Sequence, residues 1–232
     1  MKHLFKVLTC LLGSGMFCTM LIAQPTNDDL CNATELVIGQ SCNGAPNASN
    51  IGATAQPNEP VPQDGECNTG DIGFSGRTAS VRFKVTAPAS GFINIRTDEV
   101  VSGSPENGDT EMALYTLSGD DCSDLSQLVL VDCNQDREVG DSELFFNAVL
   151  TQVEVIPGET YYIQVSGWGF DGTDESTEGE FCIEVTEESA PLPAAPNDSI
   201  CNATPLVVGA YCNGVPNGDN TNAGAEDGEF DA

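Results

Sequence analysis

The stretch that decides the fold class is Ser80-Val81-Arg82-Phe83-Lys84-Val85-Thr86. Within it, apolar side chains alternate one by one with polar or basic side chains. A period of two places the apolar side chains on one face of a β-strand and the others on the opposite face. The stretch therefore predicts a strand that buries Val81, Phe83 and Val85 and turns Arg82 and Lys84 toward solvent.

Similar short strands are predicted along the chain up to residue 186. They cover residues 35–38, 92–96, 111–117, 128–133, 144–149, 152–156, 160–165 and 180–186. Turns such as Ala87–Gly91 and Pro157-Gly158 separate them, and polar or glycine-rich loops are predicted at 56–76, 97–108 and 167–179. Because no stretch has a sustained helical period, the pattern predicts an all-β chain that folds as an antiparallel β-sandwich.

The first 23 residues have the pattern of a secretory signal peptide. A basic start with Lys2 and Lys6 precedes the apolar run from Val7 to Ile22, and Ala23 stands at the predicted cleavage point. The run is short and is interrupted by Gly13-Ser14-Gly15, which disfavours a membrane anchor. The sequence therefore predicts a protein that is secreted or held at the cell surface, with no membrane span.

The region at the start of the mature chain occurs twice. Residues 27–50 match residues 197–220 at 15 of 24 positions without a gap, and both copies carry cysteines eleven apart. The offset of 170 residues is longer than a solenoid repeat, so each copy is interpreted as the opening of a whole domain.

This repeat defines the predicted domain organisation. A signal peptide at 1–23 precedes a sandwich domain at 25–186, a proline-rich linker at 187–196 and an incomplete second repeat at 197–232. The second copy is too short to bury a core of its own. We interpret it as the start of a truncated domain, and the chain as a fragment of a longer gene product.

The mature chain is strongly acidic. Once Lys2 and Lys6 leave with the signal, five basic residues remain against 36 acidic ones. Such a charge repels nucleic acid and anionic membranes, so neither is predicted as a partner. The charge suits solubility or, as an alternative, the capture of cations such as calcium.

Eight cysteines remain in the mature chain, an even number that indicates disulfides in an exported protein. Zinc is disfavoured because the mature chain has no CxxC pair and no histidine. The predicted pairs are Cys122–Cys133 across a short segment, Cys31–Cys182 joining the domain's start to its end, and Cys42–Cys67 as the remaining pair. They are one of fifteen connectivities. If Cys201 pairs with Cys212, Cys31 pairs with Cys42 instead.

Several stretches together carry a family resemblance. They are Ser80–Gly91, Asp109–Tyr115, Cys122–Asp136 and Pro157–Gly169, and the chain between 27 and 186 that contains them has the size of one domain. They resemble the bacterial pre-peptidase C-terminal domain family. The Asn-Asp-x-x-Cys-x-x-Ala opening at Asn27 is similar to the version in large secreted or cell-surface bacterial proteins, many of which end in a type IX secretion sorting domain.

The resemblance implies a jelly-roll-like β-sandwich without catalytic activity, appended to proteases or adhesins. The sequence departs from the family in its long loop at 97–108, and it contains no peptidase or sorting domain.

Catalysis is disfavoured by the residues themselves. Ser75 lies in a Gly-Phe-Ser-Gly stretch, but a nucleophilic serine needs a base, and the only histidine is His3 of the signal peptide. Pairs of carboxylates arise by chance among 36 acids, and Trp168 is the only tryptophan available for a sugar cleft. We therefore expect no enzyme activity.

Calcium is the main cofactor hypothesis. Asp109 precedes one predicted strand, and Asn134, Asp136 and Asp141 follow another, so their oxygens would converge if those strand ends are neighbours. The acidic residues of 171–175 form a second candidate loop. The alternative, which we favour, is that these residues shape turns, because the spacing is unlike an EF-hand loop.

Two further groups of side chains suggest surface contacts. Trp168 and Phe170 would form a platform for a sugar or peptide, or alternatively cover the core at an edge. Arg82, Lys84 and Arg96 would bind an acidic ligand or, as we favour, pair across strands with Glu154 or Glu184.

The sequence as a whole favours a non-catalytic extracellular binding or spacer module of a bacterial protein. Its partner would be an extracellular protein or a polysaccharide. The alternatives are an accessory domain of a secreted peptidase and a calcium-dependent adhesin module.

Overall fold

The structure, a computed structural model, describes residues 23–62, 79–99, 109–135, 137–139, 143–145, 147–169 and 177–190. These residues contain eleven strands and two 3₁₀ turns, Leu30–Asn32 and Leu125–Gln127, and no α-helix. The strands are β1 (Thr34–Glu35), β2 (Ala48–Ser49), β3 (Ser80–Thr86), β4 (Phe92–Glu99), β5 (Thr110–Leu117), β6 (Leu128–Asn134), β7 (Arg137–Val139), β8 (Glu143–Phe145), β9 (Val149–Glu154), β10 (Thr160–Gly167) and β11 (Glu180–Glu187). Within the same ranges, no helix is long and apolar enough to cross a bilayer.

Two sheets carry the fold. Sheet A has the strand order β1-β3-β10-β5-β6 and sheet B the order β2-β11-β4-β9, while β7 pairs only with β8 among the described strands. Neighbouring strands are antiparallel except β1 and β3, which are parallel. The predicted all-β sandwich is confirmed.

One apolar core joins the two sheets. It includes alternate residues of β3 (Val81, Phe83, Val85) and of β11 (Phe181, Ile183, Val185). The rings of Phe83 and Phe181 meet edge to face with centroids 6.2 Å apart, a favoured aromatic geometry. The buried faces predicted for these two strands are therefore confirmed.

Most predicted strands agree closely with the observed ones. Those predicted at 92–96, 111–117, 128–133, 160–165 and 180–186 correspond to β4, β5, β6, β10 and β11 with ends within three residues. The loop predicted at 97–108 begins too early, because β4 continues to Glu99. Thr97 is buried there and pairs with Ile183 of β11. The strand predicted at 35–38 is shorter and earlier, at Thr34–Glu35.

The strands predicted at 144–149 and 152–156 are wrong in their boundaries. β8 ends at Phe145, and β9 runs through the predicted gap from Val149 to Glu154. Gln152 has a φ of 51° and the pairing of β9 with β4 shifts register nearby. This irregularity lets Leu150 and Val153 both reach the core although they are three residues apart. The period of two is therefore lost at this point.

The turn between β3 and β4 requires a glycine. Gly91 has a φ of 74°, a left-handed conformation that is strained for other residues. Its N–H donates to the Pro88 carbonyl at 3.2 Å, and its carbonyl accepts from the N–H of Val155 at 2.8 Å. A Cβ at this position would lie 3.3 Å from the Val155 carbonyl oxygen. The predicted turn at Ala87–Gly91 thus also fixes the strand pairing beside it.

The chain divides into two compact units, Met1–Ser189 and Ala190–Ala232. The division lies inside the segment predicted as a linker at 187–196. The second unit, with its repeat of residues 27–50, lies outside the described residues apart from Ala190.

Candidate functional site

Residues 27–62, called the strap below, run from sheet A to sheet B and back. At sheet A, the Asn27 side-chain amide donates to the Arg82 carbonyl at 2.9 Å, and the Arg82 N–H donates to the Asn27 carbonyl at 2.8 Å. At sheet B, the Asn47 side chain donates to the carbonyl of Ile183 and accepts from its N–H, both at 2.8 Å. The side chains of Asn27 and Asn47 therefore hydrogen-bond to the backbone of the strands as a neighbouring strand would, and they hold the strap on both sheets.

Two more polar side chains anchor the strap from buried positions. The Asp28 carboxylate accepts from the N–H and the hydroxyl of Thr54, at 2.6 and 2.8 Å. The Asn50 amide donates to the carbonyls of Ala79 and Thr177, and its oxygen accepts from the N–H of Gly179 at 2.7 Å. These bonds pair the side chains of Asp28 and Asn50 with backbone groups of neighbouring segments and hold the strap in place.

The roles of these anchors were not inferred from the sequence, although a signal for them was present. Asn27, Asp28, Asn47 and Asn50 are all among the 15 positions shared by the two copies. In the first copy, these four side chains dock the strap on the sandwich.

Two disulfides join the strap to the sandwich, one at each sheet. Cys31 bonds to Cys122 in the β5–β6 connection of sheet A, with Cα atoms 5.0 Å apart. Cys42 bonds to Cys182 of β11 in sheet B, with Cα atoms 6.0 Å apart. Cys133 is also disulfide-bonded. Disulfides within this domain are confirmed, but the predicted pairs are not.

The predicted pair Cys122–Cys133 is wrong because Cys122 bonds to Cys31 of the strap. Cys122 lies in the connection before β6, and Cys133 lies five residues beyond the start of that strand at Leu128. The short separation of the two cysteines in sequence therefore does not decide the pairing.

The predicted pairs Cys31–Cys182 and Cys42–Cys67 are also wrong. Cys31 follows Leu30, which is buried near β3 of sheet A, whereas Cys182 belongs to sheet B. The strap needs the next residues to cross between the sheets, so Cys42 is the cysteine that reaches Cys182. The expected covalent joining of domain start to domain end therefore exists, but through Cys42. Cys67 lies outside the described residues.

A buried carboxylate reinforces the Cys42–Cys182 junction. Glu184 accepts from the N–H of Cys42 at 2.7 Å and from the Ser41 hydroxyl at 2.8 Å, both through Oε1. Its Oε2 accepts from Nε and Nη2 of Arg96, at 3.1 and 2.7 Å. The Cys42 N–H, followed by Arg96 and Ser41, holds the pKa of Glu184 below its ordinary value against the opposing effect of burial. The predicted cross-strand pairing of Arg96 with Glu184 is confirmed.

Cys42, Cys182 and Glu184 do not form a metal site. Sγ of Cys42, Sγ of Cys182 and a Glu184 oxygen are close enough together to surround an ion. The two sulfur atoms are bonded to each other, however, and a disulfide sulfur lacks the thiolate charge that binds metals. We therefore assign this group to the junction of strap and sheet.

We expect Glu184→Gln to change how stability depends on pH. A depressed pKa stabilises the fold above the ordinary value of 4.5, and this contribution is lost as pH falls through the lower folded-state pKa. At pH 7 the variant should be about 1–2 kcal/mol less stable in urea denaturation, and this difference should shrink at acidic pH. A difference that is unchanged between pH 7 and pH 3 would contradict the assigned charge state.

Arg82 is buried, which corrects its predicted exposure. Its side chain is 1% exposed, and its Nη2 lies 3.0 Å from Oε2 of the strap residue Glu59, whose side chain is 6% exposed. Glu59 also accepts from Nε2 of Gln164 at 2.7 Å and from the N–H of Gln56 at 2.8 Å. The strap covers this outer face of sheet A, so the polar side chains of β3 and β10 face the strap instead of water.

The ion pair of Arg82 depends on charge more than on hydrogen-bond geometry. None of the three guanidinium nitrogens has a hydrogen bond of good geometry to a protein atom. The attraction of the Glu59 carboxylate is therefore what compensates the buried cation. Glu59 recurs as Glu229 at the same offset of 170, a signal that the sequence interpretation missed.

The predicted calcium ligands lie only partly within the described residues. Antiparallel pairing of Met112 with Asn134 brings Asp109, before β5, to the same end of sheet A as Asn134. The premise of neighbouring strand ends is therefore confirmed for these two residues. Oδ1 of Asn134 accepts from the N–H of Val149 at 2.9 Å, a structural role. Asp136, Asp141 and the acidic residues of 171–175 lie outside the described residues.

The predicted aromatic platform is likewise half described. Trp168 is half-buried, and its backbone donates to the Asp109 carbonyl at 3.0 Å and accepts from the N–H of Thr177 at 2.9 Å. Phe170 and Ser75 lie outside the described residues. A cavity of about 10 Å³ near Asn50 and Thr110 has room for little more than one water molecule.

Comparisons with known proteins place the chain in no family. No protein-family model matches it, and neither a curated protein nor a solved structure matches it. The resemblance to the pre-peptidase C-terminal domain family therefore stays a prediction.

Proposed function

We propose that this chain is a non-catalytic spacer module of a secreted or cell-surface bacterial protein. The Cys42–Cys182 disulfide is the observation that carries the proposal. It joins the strap, where the sandwich begins, to β11, its last described strand, across 140 residues of sequence. A covalent tie at this place gives the module a nearly fixed length between its two ends.

The tie determines which part of the chain bears a pulling force. Force that enters before Asn27 and leaves after Glu187 follows the shortest covalent path, which passes from Cys42 directly to Cys182. The β-strands from β2 to β10 lie between these cysteines and are excluded from that path. They would stay folded under load because no covalent tension reaches them.

Other features of the chain support an extracellular spacer. Disulfides persist in oxidising compartments, and the predicted signal peptide leads to one. The predicted linker at 187–196 is rich in proline, which makes a linker extended and stiff. The strap sequence then recurs at residue 197, as expected where modules follow one another.

Single-molecule stretching of the full chain, held at its two ends, tests the proposal. The oxidised protein should not release the residues between Cys42 and Cys182. After full reduction, unfolding should add roughly 480 Å, because 140 residues extend by about 3.4 Å each. In the oxidised Cys42→Ser/Cys182→Ser variant, the Cys31–Cys122 disulfide still bypasses 91 of the residues, so the added length should be only roughly 170 Å.

The Cys31→Ser/Cys122→Ser variant is the matched control. It loses the other described disulfide but keeps Cys42–Cys182, so it should still lack the long extension. A long extension in the oxidised parent protein would show that the tie does not bear the load, and the spacer proposal would fail.

A further inference from the structure

The two sulfur atoms of the Cys42–Cys182 disulfide differ in their access to solvent. Cys182 is buried in β11 and only 3% exposed, whereas Cys42 of the strap is half-buried. A thiol that reduces this disulfide therefore attacks Sγ of Cys42. The attacking species is the thiolate, so each attack brings negative charge to the junction of strap and sheet.

Reduction of the disulfide takes two exchange steps. A reductant thiolate attacks Sγ of Cys42 and forms a mixed disulfide, and the electron pair of the broken bond leaves on Sγ of Cys182 as a thiolate. A second reductant thiolate then attacks the reductant's sulfur, which releases Cys42 as a thiolate and the reductant as its own disulfide. The two reductant thiols supply the two electrons. The first step is the demanding one here, because it leaves a charge on a buried sulfur.

Negatively charged oxygen lies beside both sulfur atoms. A carboxylate oxygen of Glu184 is within 4.8 Å of Sγ of Cys42 and of Cys182. The carbonyl oxygen of Ile183 adds a partial negative charge 3.8 Å from Sγ of Cys42. Glu184 is 8% exposed, so water screens its charge less than that of an exposed carboxylate. An incoming thiolate therefore meets a like charge at short range.

Two other charged side chains act on the same junction. Arg96 binds Oε2 of Glu184, whereas the Cys42 N–H binds Oε1. The Arg96 side chain is 49% exposed, so water screens its charge and it offsets that of Glu184 only in part. Glu180 shares the outer face of β11 two residues before Cys182, but it is exposed. The buried Glu184 carboxylate is therefore the main charge that faces the disulfide.

We propose that Glu184 shields the Cys42–Cys182 disulfide from reduction by thiols, and most strongly from anionic thiols. Its charge repels the attacking thiolate and disfavours the thiolate that must leave on buried Cys182. The covalent tie between strap and β11 would then persist in the presence of anionic thiols. This inference does not rest on the spacer proposal, because the rate of reduction is measured without load.

Reduction of the full oxidised chain by three small thiols tests the proposal. They are anionic mercaptoethanesulfonate, neutral mercaptoethanol and cationic cysteamine, each used at neutral pH. N-ethylmaleimide traps the freed cysteines, and mass spectrometry of the peptides that contain Cys42 and Cys182 gives the rate. Glu184→Gln should speed reduction by about tenfold with mercaptoethanesulfonate and by less than about threefold with cysteamine, since the charge of the attacking thiol decides the repulsion.

Glu154→Gln is the matched control, because it removes one exposed carboxylate from the same sheet. Glu154 lies opposite Phe92 of β4, and Cys182 lies opposite Asp98 of that strand. Six residues of strand separate the two positions by roughly 20 Å, beyond the range of unscreened charge. This variant should be reduced by all three thiols at the rates of the parent protein.

Arg96→Gln makes the opposite change, because it keeps the carboxylate and removes its counter-charge. Reduction by mercaptoethanesulfonate should become slower relative to reduction by cysteamine. A variant that only loosens the strap would instead be reduced faster by every thiol to the same degree. If Glu184→Gln does not form the disulfide, the Arg96→Gln variant alone decides.

Three results would overturn the proposal. They are equal acceleration by all three thiols in Glu184→Gln, unchanged rates in that variant, and a shift of the rate ratio in Arg96→Gln that favours mercaptoethanesulfonate. The first result would assign Glu184 to holding the strap closed by hydrogen bonds, with no effect of its charge on the chemistry of the disulfide.

Discussion

Replacing both Cys42 and Cys182 with alanine is expected to lower the free energy of unfolding by about 5 kcal/mol. The disulfide closes a loop of 140 residues, and the chain entropy that it removes from the unfolded state grows with loop length. Guanidinium denaturation without reductant measures the effect as a lower transition midpoint. The slope of the transition should also rise, because the unfolded chain becomes more expanded and exposes more surface.

The Cys31→Ala/Cys122→Ala variant provides the comparison. Its loop has 91 residues, and the same relation predicts a loss of about 4.6 kcal/mol. The two variants should therefore be destabilised almost equally, although the first should extend further under force than the second. If only the Cys42 and Cys182 variant loses less than about 1 kcal/mol, this disulfide does not stabilise the fold by restricting the unfolded chain.

The fold class could be predicted from the sequence because it depends on a local pattern. In β3 and β11, one face meets the core and the other does not, so apolar residues recur with a period of two. The prediction was wrong at β9 because the backbone at Gln152 departs from that period. An irregularity of one residue leaves no signal in composition, yet it moves the strand boundary by several residues.

The disulfide pairs could not be predicted because they depend on where the strap crosses the sandwich. Spacing in sequence favours Cys122–Cys133, but Cys122 bonds to Cys31 of the strap instead. The sequence supports the expectation that a disulfide joins the start of the domain to its end. It does not indicate whether Cys31 or Cys42 forms that bond. That choice depends on which sheet each part of the strap contacts.

The burial of Arg82 is a second feature that a local sequence pattern does not predict. Alternation correctly places Arg82 away from the core of β3. It carries no information about a distant segment that covers the outer face, and residues 54–62 are such a segment. The clue was available only from the repeat, because Glu59 and the strap asparagines recur at an offset of 170.

Glu59→Ala is expected to destabilise the protein by about 3–5 kcal/mol, because it removes the carboxylate that lies 3.0 Å from the buried Arg82 guanidinium. It also removes the acceptor for Nε2 of Gln164. Urea denaturation at pH 7 measures the loss. Glu154→Ala makes the same truncation at an exposed position of β9 and should change stability by less than about 0.5 kcal/mol.

A double variant, Glu59→Leu with Arg82→Met, separates the effect of charge from that of packing. Replacing both members of a buried ion pair with apolar residues of similar size is often neutral, so the double variant should recover most of the loss. If it is as unstable as Glu59→Ala, the cost arises from lost packing and hydrogen bonds of the strap. Recovery would instead show that Glu59 is required because β3 carries a cation beneath the strap, and that strap and sheet are matched in charge as well as in shape.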